Sequence, residues 1–479
     1  MTASQDSWAD TETAGPPDPR RWLALTVVLI ASFMDLLDIT IVNVAIPSIQ
    51  RNLHAAYAQI QWIVAGYALA FAVVLITGGR LGDIFGRKRL FLAGMAGFTA
   101  FSALCGTAIN PDMLIASRFG QGAMAALMIP QVLAIIQVTF PPAERGKVFG
   151  VYGGVAGSAS VAGPILGGLL VQWNVLGWDW RPIFLVNIPV GVAGLVAAWF
   201  LVRDSNAPGV ARLDLPGAAL ATIAVGMLVY PLTEGRDLGW PVWAFALMGG
   251  SVLVFALFVL YQRTRKSSPL LVLSLFRIRS FTAGLGVAVI FWVAFGGFFL
   301  TWMLYMQAGL GWTPLHAGLT GVEFAIPTAT ASGMSVQFLT PRFGRAVLMA
   351  GAVLAGAGFG LYIYLVAHYG TGIHSWQMIA PLAVNGIGFG LIVAPLIDLV
   401  LGDVPQRDAG SASGLLNTIQ QLGIALGISL LGTIFFDKLA ASRSFTHAFQ
   451  LTLWYDVAAM VLVLGLMFAL PRRLATAWS

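Results

Sequence analysis

Apolar runs of about 20 residues, the length a bilayer-spanning helix needs, recur from Trp22 to the end of the chain. Short breaks rich in charge, glycine or proline separate them. None alternates apolar and polar positions as a barrel strand would, so each run predicts a spanning helix. Fourteen spans follow: roughly 22–48, 57–78, 90–109, 112–139, 147–172, 181–202, 213–233, 240–262, 279–308, 314–339, 345–368, 376–401, 409–436 and 453–471. At 479 residues and 58% hydrophobic, the chain has more apolar surface than a soluble domain could bury. The expected class is an all-α polytopic membrane protein.

Charge sets the orientation. An even count of spans puts both termini on one side, and taking that side as cytosol places twenty of the 26 Lys and Arg residues inside. Five fall outside and only Arg118 lies within a span, which follows the positive-inside rule. The expectation is a multi-pass protein of the cell (inner or plasma) membrane with both termini cytoplasmic. A net charge of +6 would suggest nucleic acid in a soluble chain, but basic residues confined to loops exclude that reading. Cys105 is the only cysteine, so the chain has no intramolecular disulfide and no thiolate metal site. Residues 1–20 are polar, acidic and proline-containing without a basic leader, and read as a disordered cytosolic tail.

The chain also echoes itself. Ile84 to Arg89, IFGRKR, returns in reduced form as Arg342 to Arg345, RFGR. Glu144-Arg145-Gly146 is echoed by Arg407-Asp408-Ala409-Gly410, and both pairs are offset by about 260 residues, as a duplicated six-helix unit would be. The seventh and eighth spans fall outside both copies. The predicted organisation is therefore a tail (1–20), an N-terminal six-helix bundle (21–202), a linker and inserted two-helix hairpin (203–278), and a C-terminal six-helix bundle with its tail (279–479).

Gly79 to Arg89, GRLGDIFGRKR, resembles the loop signature of the major facilitator superfamily, through Gly79, Leu81, Asp83, Gly86, Arg87 and Lys88, with Ile84 where the usual Arg stands. Leu114 to Ala126 resembles the fourth-span motif through Arg118, Gln121 and Gly122. Gly163 to Gly168, GPILGG, is similar to the antiporter motif of the fifth span, with Ala159 in place of its leading Gly. LDITIVNVAIP (Leu37 to Pro47) and WRPIFLVNIPVG (Trp180 to Gly191) resemble the fourteen-helix drug:proton antiporters of the EmrB/QacA type. The resemblance implies a major facilitator fold of two six-helix bundles plus an inserted helix pair. It also implies proton-coupled efflux.

Depth points to the same residues. A charge at the bilayer centre costs about 2.5–3.5 kcal/mol on insertion scales, so ionisable groups there need a reason. At 1.5 Å per residue, Asp38 and Glu323 each lie about 14 Å from the outer ends of their spans, and Arg118 about 9 Å. Either carboxylate could pair with Arg118. Asp38, Arg118 and Glu323, with Asp35 one turn before Asp38, are the candidates for proton coupling. Gly79, Asp83, Gly86 and Arg87 form a candidate cytosolic latch, with Asp83 set to cap or pair with the neighbouring bundle. Gly163, Pro164, Gly167 and Gly168 form a candidate seal between the halves, since small residues admit close helix approach and Pro164 removes a backbone donor.

On the ninth span Phe295, Phe298, Trp302 and Tyr305 follow a helical stripe suited to flat, cationic ligands. Gln121, Asn417, Gln420 and Gln421 are further candidate substrate contacts. Scattered His residues offer no metal site, and no phosphate-cradling loop or nucleophile elbow is present. The expectation is a non-enzyme without cofactor, driven by the proton gradient. Its partners would be protons, small amphipathic substrates and the bilayer, with no nucleic acid, and it would act as a monomer. The leading reading is a multidrug efflux antiporter working by alternating access. A dedicated exporter of one metabolite or antibiotic, and a non-transporting sensor or scaffold, are the alternatives.

Overall fold

The structure, a computed structural model, describes residues 19–174, 177–204, 214–265, 272–405 and 409–470. Most of the tail predicted at 1–20, and Arg407 of the second echo, lie outside them. Fourteen long helices are present among the described residues: α1 Arg21–Leu53, α2 Tyr57–Phe85, α3 Arg87–Gly106, α4 Pro111–Thr139, α5 Pro142–Trp173, α6 Pro182–Leu201 and α7 Leu215–Glu234. They continue with α8 Val242–Thr264, α9 Arg279–Gly309, α10 Pro314–Met334, α11 Arg345–Tyr369, α12 Ser375–Gly402, α13 Ala409–Ser442 and α14 Phe445–Met467. Twelve are long and apolar enough to cross a membrane; α5 offers the shorter apolar stretch Val161–Trp173, and α10 is not among the twelve. Local chemistry starts several of them. Asn110 accepts from Met113 N–H at 2.8 Å ahead of Pro111, and Thr313 does the same for His316 N–H at 3.2 Å ahead of Pro314.

The turns are tighter than the sequence pattern suggests. Gly79 to Phe85 continue α2 as helix, where a loop is expected, and only Gly86 separates α2 from α3. Gly86 has φ 95° and its counterpart Gly344, between α10 and α11, has φ 55°, so both copies turn on a glycine in a region that side chains disfavour. A basic residue just beyond each turn then does a similar job in both copies. Lys88 Nζ donates to Trp199 O near the end of α6 at 2.8 Å, and Arg345 donates to Phe468 O and Leu470 O beyond α14 at 3.1 and 2.7 Å. Each cation thus satisfies carbonyls that a helix end leaves open.

Helix pairing repeats in the same way. In the first bundle α1 packs on α5 and α6, α2 and α3 on α4, and α3 on α6. In the second α9 packs on α13 and α14, α10 and α11 on α12, and α11 on α14. The bundles meet crosswise, α2 against α13 and α5 against α10. The remaining pair, α7 and α8, pack on each other, and α7 lies over the α2–α13 seam. Glu234 accepts from Trp62 Nε1 at 2.7 Å, Thr233 donates to Ser429 Oγ at 2.8 Å, and Arg236 pairs with Asp437 at 2.6 Å. At the other end of the hairpin Asp214 accepts from Gln262, Tyr261 and Gly217 N–H at 2.7, 3.1 and 3.2 Å, with Arg265 at 3.4 Å. Burial opposes its charge, but these donors prevail and hold the carboxyl below its ordinary value.

Among the described residues the tightest crosswise contacts cluster on one side. Call the side where α1 begins and α14 ends the terminal face, and the other the far face. Near the far face, a methyl built on Gly168 of α5 would lie 2.5 Å from Leu315 Cα of α10, and one on Gly318 would run into Pro164 O. Gly432 of α13 abuts Gln61 of α2, Tyr57 stacks on Phe436 at 4.2 Å, and Gln307 of α9 donates to Val44 O of α1 at 2.7 Å. Nearer the terminal face on the same helices, methyls on Gly154, Gly333 and Gly414 would meet nothing within 4 Å. The bundles therefore close at the far face and part towards the terminal face.

The antiporter-like segment works in two directions. Gly163 and Gly167 press on Thr40 and Ile41 of α1, within the bundle, while Pro164 and Gly168 press on α10 across it. Overpacking costs about 1–3 kcal/mol, so Gly168→Leu should shift the population away from far-face closure by about 5- to 150-fold. Spin-label distances between the far-face ends of α5 and α10 check this; an unchanged distribution removes the seal.

Candidate functional site

The first bundle has an ionic centre in its core. Asp38 comes from α1, Arg118 and Gln121 from one face of α4, Ser102 from α3 and Asn187 from α6. All five are at most 1% exposed, so every charge and amide must find its partner inside the protein. Arg118 Nη1 donates to Asp38 Oδ2 and to Gln121 Oε1 at 2.7 Å, while its Nε donates to Ile63 O at 3.1 Å. The other oxygen of Asp38 accepts from Gln121 Nε2 at 2.8 Å and Asn187 Nδ2 at 3.2 Å. Ser102 Oγ accepts from Asn187 at 2.9 Å and donates to Phe184 O at 3.0 Å. The guanidinium also lies 4.2 Å from the Tyr67 ring centroid, and the Tyr67 hydroxyl donates to Asp35 Oδ1.

Four of the predicted residues thus find definite places. Arg118 pairs with Asp38 and not with Glu323. Asp35 is held through Tyr67, one step removed from the pair. Gln121, expected to touch substrate, is instead fully buried as the residue that completes both Asp38 and Arg118. Sequence reasoning missed Asn187, Ser102 and Tyr67. Asn187 lies inside the WRPIFLVNIPVG segment, whose Trp180 and Arg181 both donate to Asn52 Oδ1 at 3.2 and 3.0 Å and so pin α6 to α1. Ser102 and Tyr67 had no signal beyond being polar residues in apolar runs.

In the second bundle the aromatic stripe turns inward. Phe298, Trp302 and Tyr305 are 0% exposed and cannot form an open docking surface. Phe298 stacks on Trp302 with centroids 5.5 Å apart, Trp302 Nε1 donates to Tyr362 Oη at 2.9 Å, and Tyr305 stacks on Phe449 at 4.6 Å. Phe295 alone of the four is half-buried. It packs at 4.7 Å from Phe299, also half-buried, and these two rest on Phe324 and Phe389, with Phe299–Phe324 at 5.3 Å and Phe295–Phe389 at 5.8 Å. Periodicity found the stripe but selected its packed face, because Phe298 and Phe299 are adjacent and only the neighbours tell them apart.

Glu323 is the next residue to Phe324 on α10. It is half-buried, and its Oε2 is enclosed with no hydrogen-bond partner. Asn417 is exposed and Gln420 half-buried on the part of α13 where the bundles have separated, while Gln421 is buried. Of the latch, Gly86 forms the turn and Arg87 is half-buried; the surroundings of Gly79 and the side chain of Asp83 lie outside the described residues. Among the described residues no cluster of His, Cys, Asp or Glu could hold a metal ion.

The family model of the Major Facilitator Superfamily matches residues 28–428. Over 439 residues the chain is 43% identical to the "Probable actinorhodin transporter" of Streptomyces coelicolor, a match covering 91% of this chain and 76% of that protein. It is 36% identical over 426 residues to the "Tetracenomycin C resistance and export protein" of Streptomyces glaucescens, covering 87% and 76%. A solved bacterial homolog of the human lysosomal transporter Spinster, inward-facing and unoccupied, has the same fold, with a TM-score of 0.67 at 16% identity over 95% of this chain and 97% of that one. Two crosswise six-helix bundles parting towards one face, together with these matches, place the chain in the major facilitator superfamily, as a membrane transporter and not an enzyme.

Proposed function

We propose that the protein exports amphipathic, often cationic small molecules in exchange for external protons, crossing the membrane fourteen times with the terminal face in the cytoplasm. The observation that carries the coupling is the contrast between two carboxylates. Asp38 is saturated by Arg118, Gln121 and Asn187, whereas Glu323 has an enclosed oxygen without a partner and precedes Phe324, which packs on the half-buried Phe299. A flat cation entering from the parted terminal face would find ring faces for stacking and one carboxylate for its charge. A proton on Glu323 removes that charge, so proton and cation compete for one group. Protonating Asp38 would free Arg118 and loosen the joint of α1, α4 and α6, coupling the proton to the shape of the first bundle.

A narrower reading, a dedicated exporter of one aromatic antibiotic, has its own support. The two relatives described above carry the names of single antibiotics, actinorhodin and tetracenomycin C. The docking surface serves both readings, and only the breadth of transport separates them. The latch is part of the proposal too, with Asp83 bracing the terminal face when it shuts.

Ethidium efflux from cells overproducing the protein should collapse when a protonophore is added; efflux that persists would refute proton exchange. Asp38→Asn and Arg118→Ala should each reduce efflux at least 10-fold, about 1.4 kcal/mol or more, and full activity in either removes the ionic centre from the mechanism. Glu323→Gln should weaken export of cations far more than that of neutral aromatics, so an equal loss for both classes would count against the shared site. Asp83→Asn should slow transport much more than Arg342→Gln, and equal effects would eliminate the latch.

A further inference from the structure

Asp456 stands apart from every other acidic residue in the second bundle. It lies 0% exposed on α14, and neither of its carboxylate oxygens has a hydrogen-bond partner. Its distance from the far-face end of α14 is about 16 Å at 1.5 Å per residue, close to the bilayer centre for a span of that kind. One turn to either side shows which way it points. Thr452 Oγ1 reaches Thr301 Oγ1 of α9 at 3.5 Å, and Met460 lies against Gly356 of α11, 3.5 Å from the place a methyl there would occupy. Asp456 therefore faces the seam of α9 and α11.

No cation serves it there. On α9 the ionisable residues are Arg279 and Tyr305, and on α11 the buried one is Tyr362. Arg345 begins α11, Tyr364, His368 and Tyr369 of α11 are exposed, and α13 has none between Ala409 and Phe436. Arg279 and Arg345 are bound to the carbonyls of Ala469, Phe468 and Leu470, about 18 Å or more along α14 from Asp456. Tyr305 and Tyr362 both pack on Phe449, about two turns towards the far face. An unpaired carboxylate in such a place costs several kcal/mol, and an uncharged carboxyl far less.

We propose that Asp456 is a proton-binding site of the second bundle, neutral in this terminal-open conformation and exchanging its proton during transport. A hydronium donates, one O–H bond forms on a carboxylate oxygen, and the same bond breaks when water takes the proton back. The hydroxyls of Thr452 and Thr301 stand between Asp456 and the far face, and one turn beyond Thr301 the α9 backbone changes to a π-turn at Tyr305–Gly309. Such turns mark places where a helix can repack, and repacking α9 there would open Asp456 to that face. In the first bundle the two carboxylates at comparable depth among the described residues, Asp35 and Asp38, are already partnered. A side chain kept only for packing would be served as well by Leu.

The exchange step rests on the proton coupling proposed above; the presence of the bound proton does not. In purified protein at neutral pH, the infrared C=O stretch of protonated carboxylic acids should include a component that is lost in Asp456→Asn, persists in Glu323→Gln, and returns shifted in Asp456→Glu. In proteoliposomes with a trapped pH dye, the protons moved per ethidium exported should fall by about one in Asp456→Asn. A carboxylic-acid spectrum left unchanged by Asp456→Asn overturns the site. A lost band with an unchanged ratio, in a wild type that does move protons, makes the proton structural and overturns the exchange. Ethidium export without any proton movement in the wild type defeats the proposed function instead, and leaves the infrared band to decide whether Asp456 holds its proton. Should Asp456→Asn fail to fold, Asp456→Glu still decides between the outcomes, since a shifted band assigns the proton to this residue and an unshifted one excludes it.

Discussion

A charge that cannot reach water must be answered from within the protein, and Asp38 with Arg118 show how much structure that demands. Three polar side chains from α3, α4 and α6 and one backbone carbonyl from α2 gather around two charged groups, from α1 and α4, that are at most 1% exposed. Removing one partner of a buried pair typically costs about 3–5 kcal/mol, because the other charge is left stranded. The pair therefore fixes the relative positions of the helices that supply its donors.

The second bundle answers the same physics with fewer polar groups. Its centre is aromatic, with Trp302, Phe298, Phe359 and Phe389 in successive contact, and Glu323 and Asp456 have enclosed oxygens without partners. The two bundles thus differ, one holding a saturated ion pair and the other an aromatic core with acids whose enclosed oxygens lack partners. Their symmetry survives in the backbone: paired helices, a positive-φ glycine at Gly86 and Gly344, and a cation on the end of the sixth helix in each copy.

Between the bundles the deciding quantity is the distance between backbones. Gly168, Gly318 and Gly432 let helices touch where a side chain would hold them apart, all near the far face, while Gly154, Gly333 and Gly414 of the same helices face open space. Close approach at one end with separation at the other is what a rocking movement requires. The inserted hairpin lies over one of the two crosswise seams and is tied there by Glu234, Thr233 and Arg236. Its bonds to α2 and α13 sit at the far-face end, where the seam is closed.

Long-range patterns were legible from the sequence alone, because hydropathy, loop charge and repeats are properties of stretches and survive not knowing who packs on whom. The succession of apolar helices, the rarity of Arg118 and the small residues of α5 all belong to this kind. Partner identity did not. That Arg118 chooses Asp38 over Glu323, that Gln121 completes the pair, and that Asn187 and Tyr67 belong to it depend on rotamers and on which faces of α1, α2, α4 and α6 converge. The stripe of α9 shows the limit most plainly, since Phe298 and Phe299 are chemically identical neighbours, one sealed in the core and the other half-open. Asp456 is the converse case: the sequence shows an acid in an apolar run, and only packing reveals that nothing meets it. Composition decides that a charge in a membrane needs an answer, and tertiary structure decides which residue gives it, because hydrogen bonds and ion pairs act over a few ångströms that chain spacing cannot specify.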